Sequence, residues 1–459
     1  MDLYEPFALA AALVALLSLL YLAWDVDPVW ALCGAIATSV FSGNWELLGV
    51  PLGPDRLLFA VGVLALLLRA PGARDRPAVR IEPVHWLLAL TALYAIGSAA
   101  WVGTLGEKTA VFKLLDPLGI VPFLMFLVAP LAFRTARQRA ALLYTLILVG
   151  IYLGLTAVFE VLEIEALVFP KYILDPTIGI HEGRARGPFV EAVGMGLALY
   201  ACGVAAIVAA AGLPRRRWLT VGAVGVAVLC TVGVLLTLTR AVWLGAMLAT
   251  ALTMLAAPEL RRFVLPTTAG GIVLVLAALA FVPGLGERAD ERRGDQWPVW
   301  DRLNTNAAAI DMIAARPLLG FGWNRFEAES PIFFRQSADY PLTGERAGVH
   351  NVFLSRGVEL GLLGTLLIMA GLVFGVGRAM LSRGPPELRP WRFGLIALAI
   401  SWLVAANLGP LPYAFPNLLL WAWAGVVLGG SRQEGAEPIA VKQAQMAASV
   451  PSPATADRS

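Results

Sequence analysis

The chain has 459 residues, 58% of them hydrophobic and 15% charged. Soluble domains carry about 45–50% apolar residues, so an ordinary soluble protein is excluded. A formal net charge of +3 gives no reason to expect nucleic acid. Cys33, Cys202 and Cys230 all sit in apolar stretches, which leaves neither a disulfide framework nor a cysteine-based metal motif.

Charge-free blocks recur along the chain at Pro6–Trp24, Trp86–Gly106, Ala140–Phe159, Ala192–Pro214, Trp218–Thr239, Ala241–Pro258, Phe263–Gly286 and Phe393–Gly430. About 20 apolar residues are needed to cross a bilayer as a helix, and these blocks meet that length. The last one holds Asn407-Leu408-Gly409-Pro410-Leu411-Pro412 and reads as two spans joined by a tight turn. In the first 70 residues, Phe7–Trp24, Val29–Ser42 and Leu57–Leu68 are apolar, the latter two short. If all three cross, the N-terminus lies outside; if one is re-entrant, both termini are inside. The expected fold is an all-α polytopic membrane protein of about 12 (12–13) transmembrane helices. Met1–Pro6 has no Lys or Arg, which argues against a cleaved signal peptide. The tail from Ser431, rich in Ala, Gln, Ser and Pro, reads as a disordered end.

Short arginine-bearing connections mark the cytoplasmic side. Arg69–Arg80, Arg134–Arg139, Arg215–Arg217, Arg261–Arg262 and Arg378–Arg392 qualify, and they alternate along the span count. Four other connections then lie outside: Val102–Thr109, Glu160–Glu191, the turn at Arg240 and the polar excursion Gly284–Val349. The expected division is 1–283 as an N-terminal membrane bundle, 284–349 as an extracytoplasmic loop, 350–430 as C-terminal spans and 431–459 as a cytoplasmic tail. The loop carries Arg288, Arg292, Arg293, Arg302, Arg316, Arg325, Arg335 and Arg346, with His350 at its exit. Leu303, Ala307, Ile310 and Ile313/Ala314 form a helical stripe over Trp300–Ala315, ended by Pro317. This predicts a partly helical cap over the outer mouth of the bundle.

Several positions can carry chemistry. His350 precedes a helix, whose N-terminal dipole disfavours a second positive charge and keeps imidazole neutral, as a general base requires; a capping or interfacial histidine is the alternative. Arg184 and Arg186, set between Gly183 and Gly187, suit a phosphate clamp through their guanidinium forks, or else anchor the chain at the interface. Arg240 joins two long apolar blocks almost without a loop, where a charge is costly and commonly functional, or else anchors the turn at the headgroups. Arg302, expected in the first turn of the loop helix, is disfavoured by the dipole and points to an anionic partner, Asp301, Asp295 or a substrate, with a surface ion pair as the alternative. Asp25 and Asp27 resemble a carboxylate pair for Mg²⁺ but read better as a polar loop. Asp116 and Glu359 stand out as mid-span charges, and Asp339 and Glu345 are substitute bases should His350 be a cap.

Taken together these residues resemble the O-antigen ligase and polymerase superfamily of bacterial membrane glycosyltransferases. The resemblance rests on Arg184-Ala185-Arg186-Gly187-Pro188-Phe189, Thr237-Leu238-Thr239-Arg240-Ala241, Trp300-Asp301-Arg302 with Pro317-Leu318-Leu319-Gly320-Phe321-Gly322, and His350-Asn351-Val352-Phe353-Leu354 with Gly361-Leu362-Leu363-Gly364. It implies a GT-C-like, metal-independent inverting transferase without cofactor, in the bacterial inner membrane with an extracytoplasmic (periplasmic) site. The implied donor is a glycan on undecaprenyl diphosphate. The implied acceptor is a hydroxyl on lipid A-core in a ligase, on a second lipid-linked repeat in a polymerase, or on a protein in an oligosaccharyltransferase. Carried onto this chain, His350 is the base and Arg186, Arg240 and Arg302 the diphosphate ligands, with Arg184 and more weakly Arg56 beside them. A transporter of lipid-linked glycans and a structural subunit holding anionic lipid are the readings from other classes.

Overall fold

The computed structural model describes residues 18, 20–50, 53–68, 81–117, 119–180, 183–212, 217–281, 296–334, 341–342 and 348–430. Outside them fall most of the first apolar run, Arg69–Arg80, His181, Arg215, Arg216, Arg288, Arg292, Arg293, Arg335, Asp339, Glu345, Arg346 and the tail from Ser431. Every described element is helical. In chain order they are α1 (Pro28–Thr38), α2 (Pro54–Leu68), α3 (Pro83–Trp101), α4 (Lys108–Leu115), α5 (Ile120–Ala132), α6 (Ala136–Val161) and α7 (Ala192–Gly212). There follow α8 (Arg217–Leu236), α9 (Arg240–Ala256), α10 (Val264–Phe281), α11 (Trp297–Ala315), α12 (Val352–Leu372), α13 (Arg389–Leu408) and α14 (Ala414–Gly430).

Among the described residues, 7 stretches are long and apolar enough to cross a membrane: α3, Lys108–Ala132, α6, α7, α8, Val352–Leu381 and Pro386–Leu408. Pro28–Phe41, α9 and α14 are apolar but shorter. A count near 12 therefore requires the shorter helices to cross as well.

Helix starts follow local chemistry. The Asp27 carboxylate accepts the Val29 N–H at 2.9 Å and so caps α1, with Pro28 at the first helical position. Thr135 and Gln138 form a reciprocal capping box at the start of α6. In the interior α6, α7 and α8 pack on one another, α9 packs on α13, and α3 packs on α12. Helix α14 is buried along almost its whole length, with Phe415, Trp421 and Trp423 in the core. Buried indoles need a hydrogen-bond acceptor: Trp423 donates to the Trp391 carbonyl and Trp402 to the Asn417 side chain, each at 2.7 Å.

The connections fall into two bonded sets. At one end of the bundle Arg378 pairs with Glu82 and Arg389 with Glu259, each at 2.8 Å. At the other, Asn324 bonds Glu107, Arg325 bonds the Val102 carbonyl, the Ala185 N–H bonds the Leu236 carbonyl, and Asn351 bonds Asn407. The same partition follows from the arginine counts.

Helix α12 is broken at Gly361 (φ 66°, ψ −172°). The turn after α11 docks into that break. Phe321 and Gly322 donate to the carbonyls of Val358 and Glu359 at 2.8 and 2.9 Å, and Leu362 donates to the Pro317 carbonyl at 2.7 Å. Gly320 and Gly361 both have positive φ, and a Cβ on either would overlap the facing backbone. The Pro317–Gly322 and Gly361–Gly364 motifs are thus two halves of one backbone junction.

Candidate active site

Three segments come together beside the N-terminus of α12, those of Arg240, Arg302 and His350, and the Arg184 segment is tied to the end of α8 that leads into Arg240. Asn351 is the helix cap, its side chain accepting from the N–H groups of Phe353 and Leu354 at 2.9 and 3.0 Å. His350 is therefore one residue outside the helix and freed from capping it. The His350 ring is partly buried, and its Nδ1 has no hydrogen-bond partner. Burial lowers its pKa, and the Arg302 guanidinium lowers it further, against a smaller opposing effect of Asp301. Both main causes favour neutral imidazole.

Arg302 stands in the second turn of α11. The helix begins at Trp297, three residues earlier than the sequence stripe suggests, so the dipole argument for this residue weakens. A stronger one replaces it. The Arg302 Nε is buried without a partner, and burial together with the nearby Arg240 charge pushes its pKa down. Two cations and a histidine within electrostatic reach of each other make a locus that favours an anion. Arg240, the first residue of α9, is exposed. Arg184 has a partly buried side chain whose Nε also lacks a partner. Its neighbour Ala185 ties this segment to the end of α8, two residues before the Leu238-Thr239-Arg240 turn, through the 3.1 Å bond to Leu236.

Arg186 has a different place from the one expected of a diphosphate ligand. It is 4% exposed and donates four hydrogen bonds, two to the Ile173 carbonyl and one each to Asp175 and Ile178, at 2.6–3.1 Å. A guanidinium has five N–H donors, so little remains for a ligand. From the other side, Glu160 accepts the N–H groups of Arg186 and Gly187 at 3.3 and 3.0 Å. Arg186 thus holds the 163–190 loop that presents Arg184. Arg186→Ala removes the side-chain donors from the Ile173, Asp175 and Ile178 carbonyls, of which Ile173 is buried and is left unsatisfied at about 1–3 kcal/mol. A lowered thermal midpoint is expected for this variant in detergent, whereas Arg184→Ala should melt like the parent.

Arg56 pairs with Asp116 through a terminal nitrogen and lies over the Phe112 ring at 5.6 Å, while its Nε, like those of Arg184 and Arg302, is buried without a partner. Glu359 pairs with Arg356 at 2.6 Å, both buried, and Arg356 sits 4.3 Å over the Trp323 ring. That stack holds the Trp323 end of the docked turn against α12. Sequence reading passed over Arg356 and Trp323, although an Arg–Glu pair three apart in a charge-poor helix is a visible signal. It also passed over Tyr413, whose hydroxyl is buried without a partner and whose ring packs edge-on against Phe189 of the arginine segment at 6.2 Å.

The fold and this site define a membrane-embedded helical protein with a basic, histidine-bearing cluster at one end of its bundle. Residues 225–369 match the family model described as O-antigen ligase, and over this stretch the chain is similar to the O-antigen ligase and polymerase-like superfamily. The family points to a glycosyltransferase- or ligase-type membrane enzyme. The matched stretch contains Arg240, Arg302 and His350; Arg184 and Arg186 lie before it. No curated protein matches the chain.

Proposed function

We propose that this chain is an O-antigen ligase-like inverting glycosyltransferase, moving a glycan from undecaprenyl diphosphate to a hydroxyl on lipid A-core or another cell-surface glycan at the outer face of the inner membrane. The carrying observation is the cluster of Arg240, Arg302 and His350: Arg302 and His350 each hold a buried nitrogen with no protein partner, as does Arg184 on the segment tied to the end of α8, and the charges of Arg240 and Arg302 act on one another beside His350. Buried donors without partners are costly unless something else satisfies them, and guanidinium groups match diphosphate oxygens.

In this reading the bond between the anomeric carbon and the diphosphate oxygen breaks as the acceptor oxygen bonds that carbon from the opposite face. The acceptor proton passes to His350. Arg184, Arg240 and Arg302 stabilise the charge growing on the departing diphosphate, so no general acid is needed. Arg186 orders the loop and does not touch the donor. The arginines do the neutralising that a divalent ion would otherwise do, so the reaction is independent of metal.

The test is the full chain in nanodiscs with a lipid-diphosphate glycan donor and a glycolipid acceptor, without ATP. A new glycosidic bond is expected, at the same rate with and without EDTA. A transporter or a scaffold gives no product, and a rate abolished by EDTA overturns the metal-independent reading.

A further inference from the structure

The apolar stripe on α11 turns outward along most of its length, with Ile313 packed toward α12. Leu303 and Ile310 are 45% and 56% exposed, and Val299, Ala307 and Ala314 on the same side are exposed too. The opposite side holds Asn304, Thr305, Ala308, Ala309 and Met312, all buried. A helix at a water surface has the reverse arrangement, with polar residues outward.

The exposed stripe continues into Leu318 and Leu319, 70% and 65% exposed in the turn that docks on α12. From there it runs onto the outer side of α12 and its continuation, where Leu362, Leu363, Leu366, Met369 and, just past α12, Val373 are exposed on the Val352–Leu381 stretch, long and apolar enough to cross a membrane. The depth of this junction can be read against α3. Tyr94 of α3 bonds the Leu360 carbonyl, and Tyr94 is seven residues short of Trp101 at the end of that span. At 1.5 Å per residue the Leu318–Leu319 turn lies about 10 Å inside the Trp101 level. Trp101 itself is 90% exposed, and Trp297 and Trp300 stack edge-on at the start of α11; exposed indoles are characteristic of the membrane interface. Arg316, exposed at the end of α11, lies over the Phe321 ring at 4.5 Å, and its long stem lets the charge reach outward.

We propose that α11 and the Pro317–Gly320 turn are not a cap in water but a re-entrant element of the bilayer, their exposed apolar face covered by acyl chains of the leaflet on the His350 side. The occupant is lipid, because the face is continuous with the lipid-exposed side of α12. Arg302 and His350 then open at the rim of that leaflet, within lateral reach of a lipid-borne substrate. The placement of α11 stands without the proposed reaction.

The experiment uses the full chain in nanodiscs with Cys33, Cys202 and Cys230 replaced and a nitroxide on a single cysteine at Leu303, Ile310, Leu318 or Glu327. Glu327 is exposed just beyond the docked turn. Collision with oxygen should dominate over collision with a water-soluble nickel chelate at Ile310 and Leu318, and the order should reverse at Glu327. Nickel access at Ile310 and Leu318 equal to that at Glu327 overturns the proposal in favour of a water-facing cap. Exclusion of both reagents there overturns it in favour of a protein partner.

Discussion

Replacing His350 with alanine should lower turnover by about two to four orders of magnitude, the usual contribution of a positioned general base. Donor binding and the thermal midpoint should stay close to the parent, because the cap of α12 is Asn351 and not His350. The pH profile of the parent carries the second half of this expectation. Burial and Arg302 both hold the histidine below its ordinary value of about 6.5. Turnover should therefore rise through a midpoint below that value and be level at neutral pH, where the imidazole is already neutral and the arginines remain charged. Turnover of His350→Ala near that of the parent would remove the histidine from the mechanism.

Arg302 offers the other large effect, and it can be separated into charge and geometry. Arg302→Gln should lower kcat/KM by about 10²–10³, corresponding to about 3–4 kcal/mol of transition-state stabilisation for one lost donor. It should also move the acid limb of the profile to higher pH: the repelling cation is gone, the His350 pKa rises, and less imidazole is neutral at a given acidic pH. Arg302→Lys keeps the charge and loses the fork, so it should leave the limb in place while recovering little of the rate. A limb that does not move in Arg302→Gln would show that the two side chains are not electrically coupled.

The readings that survive from the linear sequence are those that depend on composition and on local chemistry. Apolar blocks of spanning length define a helical membrane protein because unpaired backbone groups are intolerable in hydrocarbon. Pro317 ends α11 where it stands in the sequence, since proline lacks the N–H that a further turn needs. That His350 stands next to a helix start is legible from the apolar run that begins at Val352.

What the linear order could not decide is which polar groups are already spent. Arg184 and Arg186 look alike between their glycines, yet one guanidinium is consumed by the carbonyls of Ile173, Asp175 and Ile178 and the other keeps a buried nitrogen without a partner. Arg56 finds Asp116, and Arg356 finds Glu359 and Trp323. These assignments depend on groups brought together from distant parts of the chain, and no periodicity encodes them. The direction of the α11 stripe has the same origin. Its amphipathic pattern was plain from residue spacing, but pattern specifies only that one face is apolar. Whether that face meets protein or lipid is settled by the backbone junction at Gly320 and Gly361, which turns the other face of the helix toward α12.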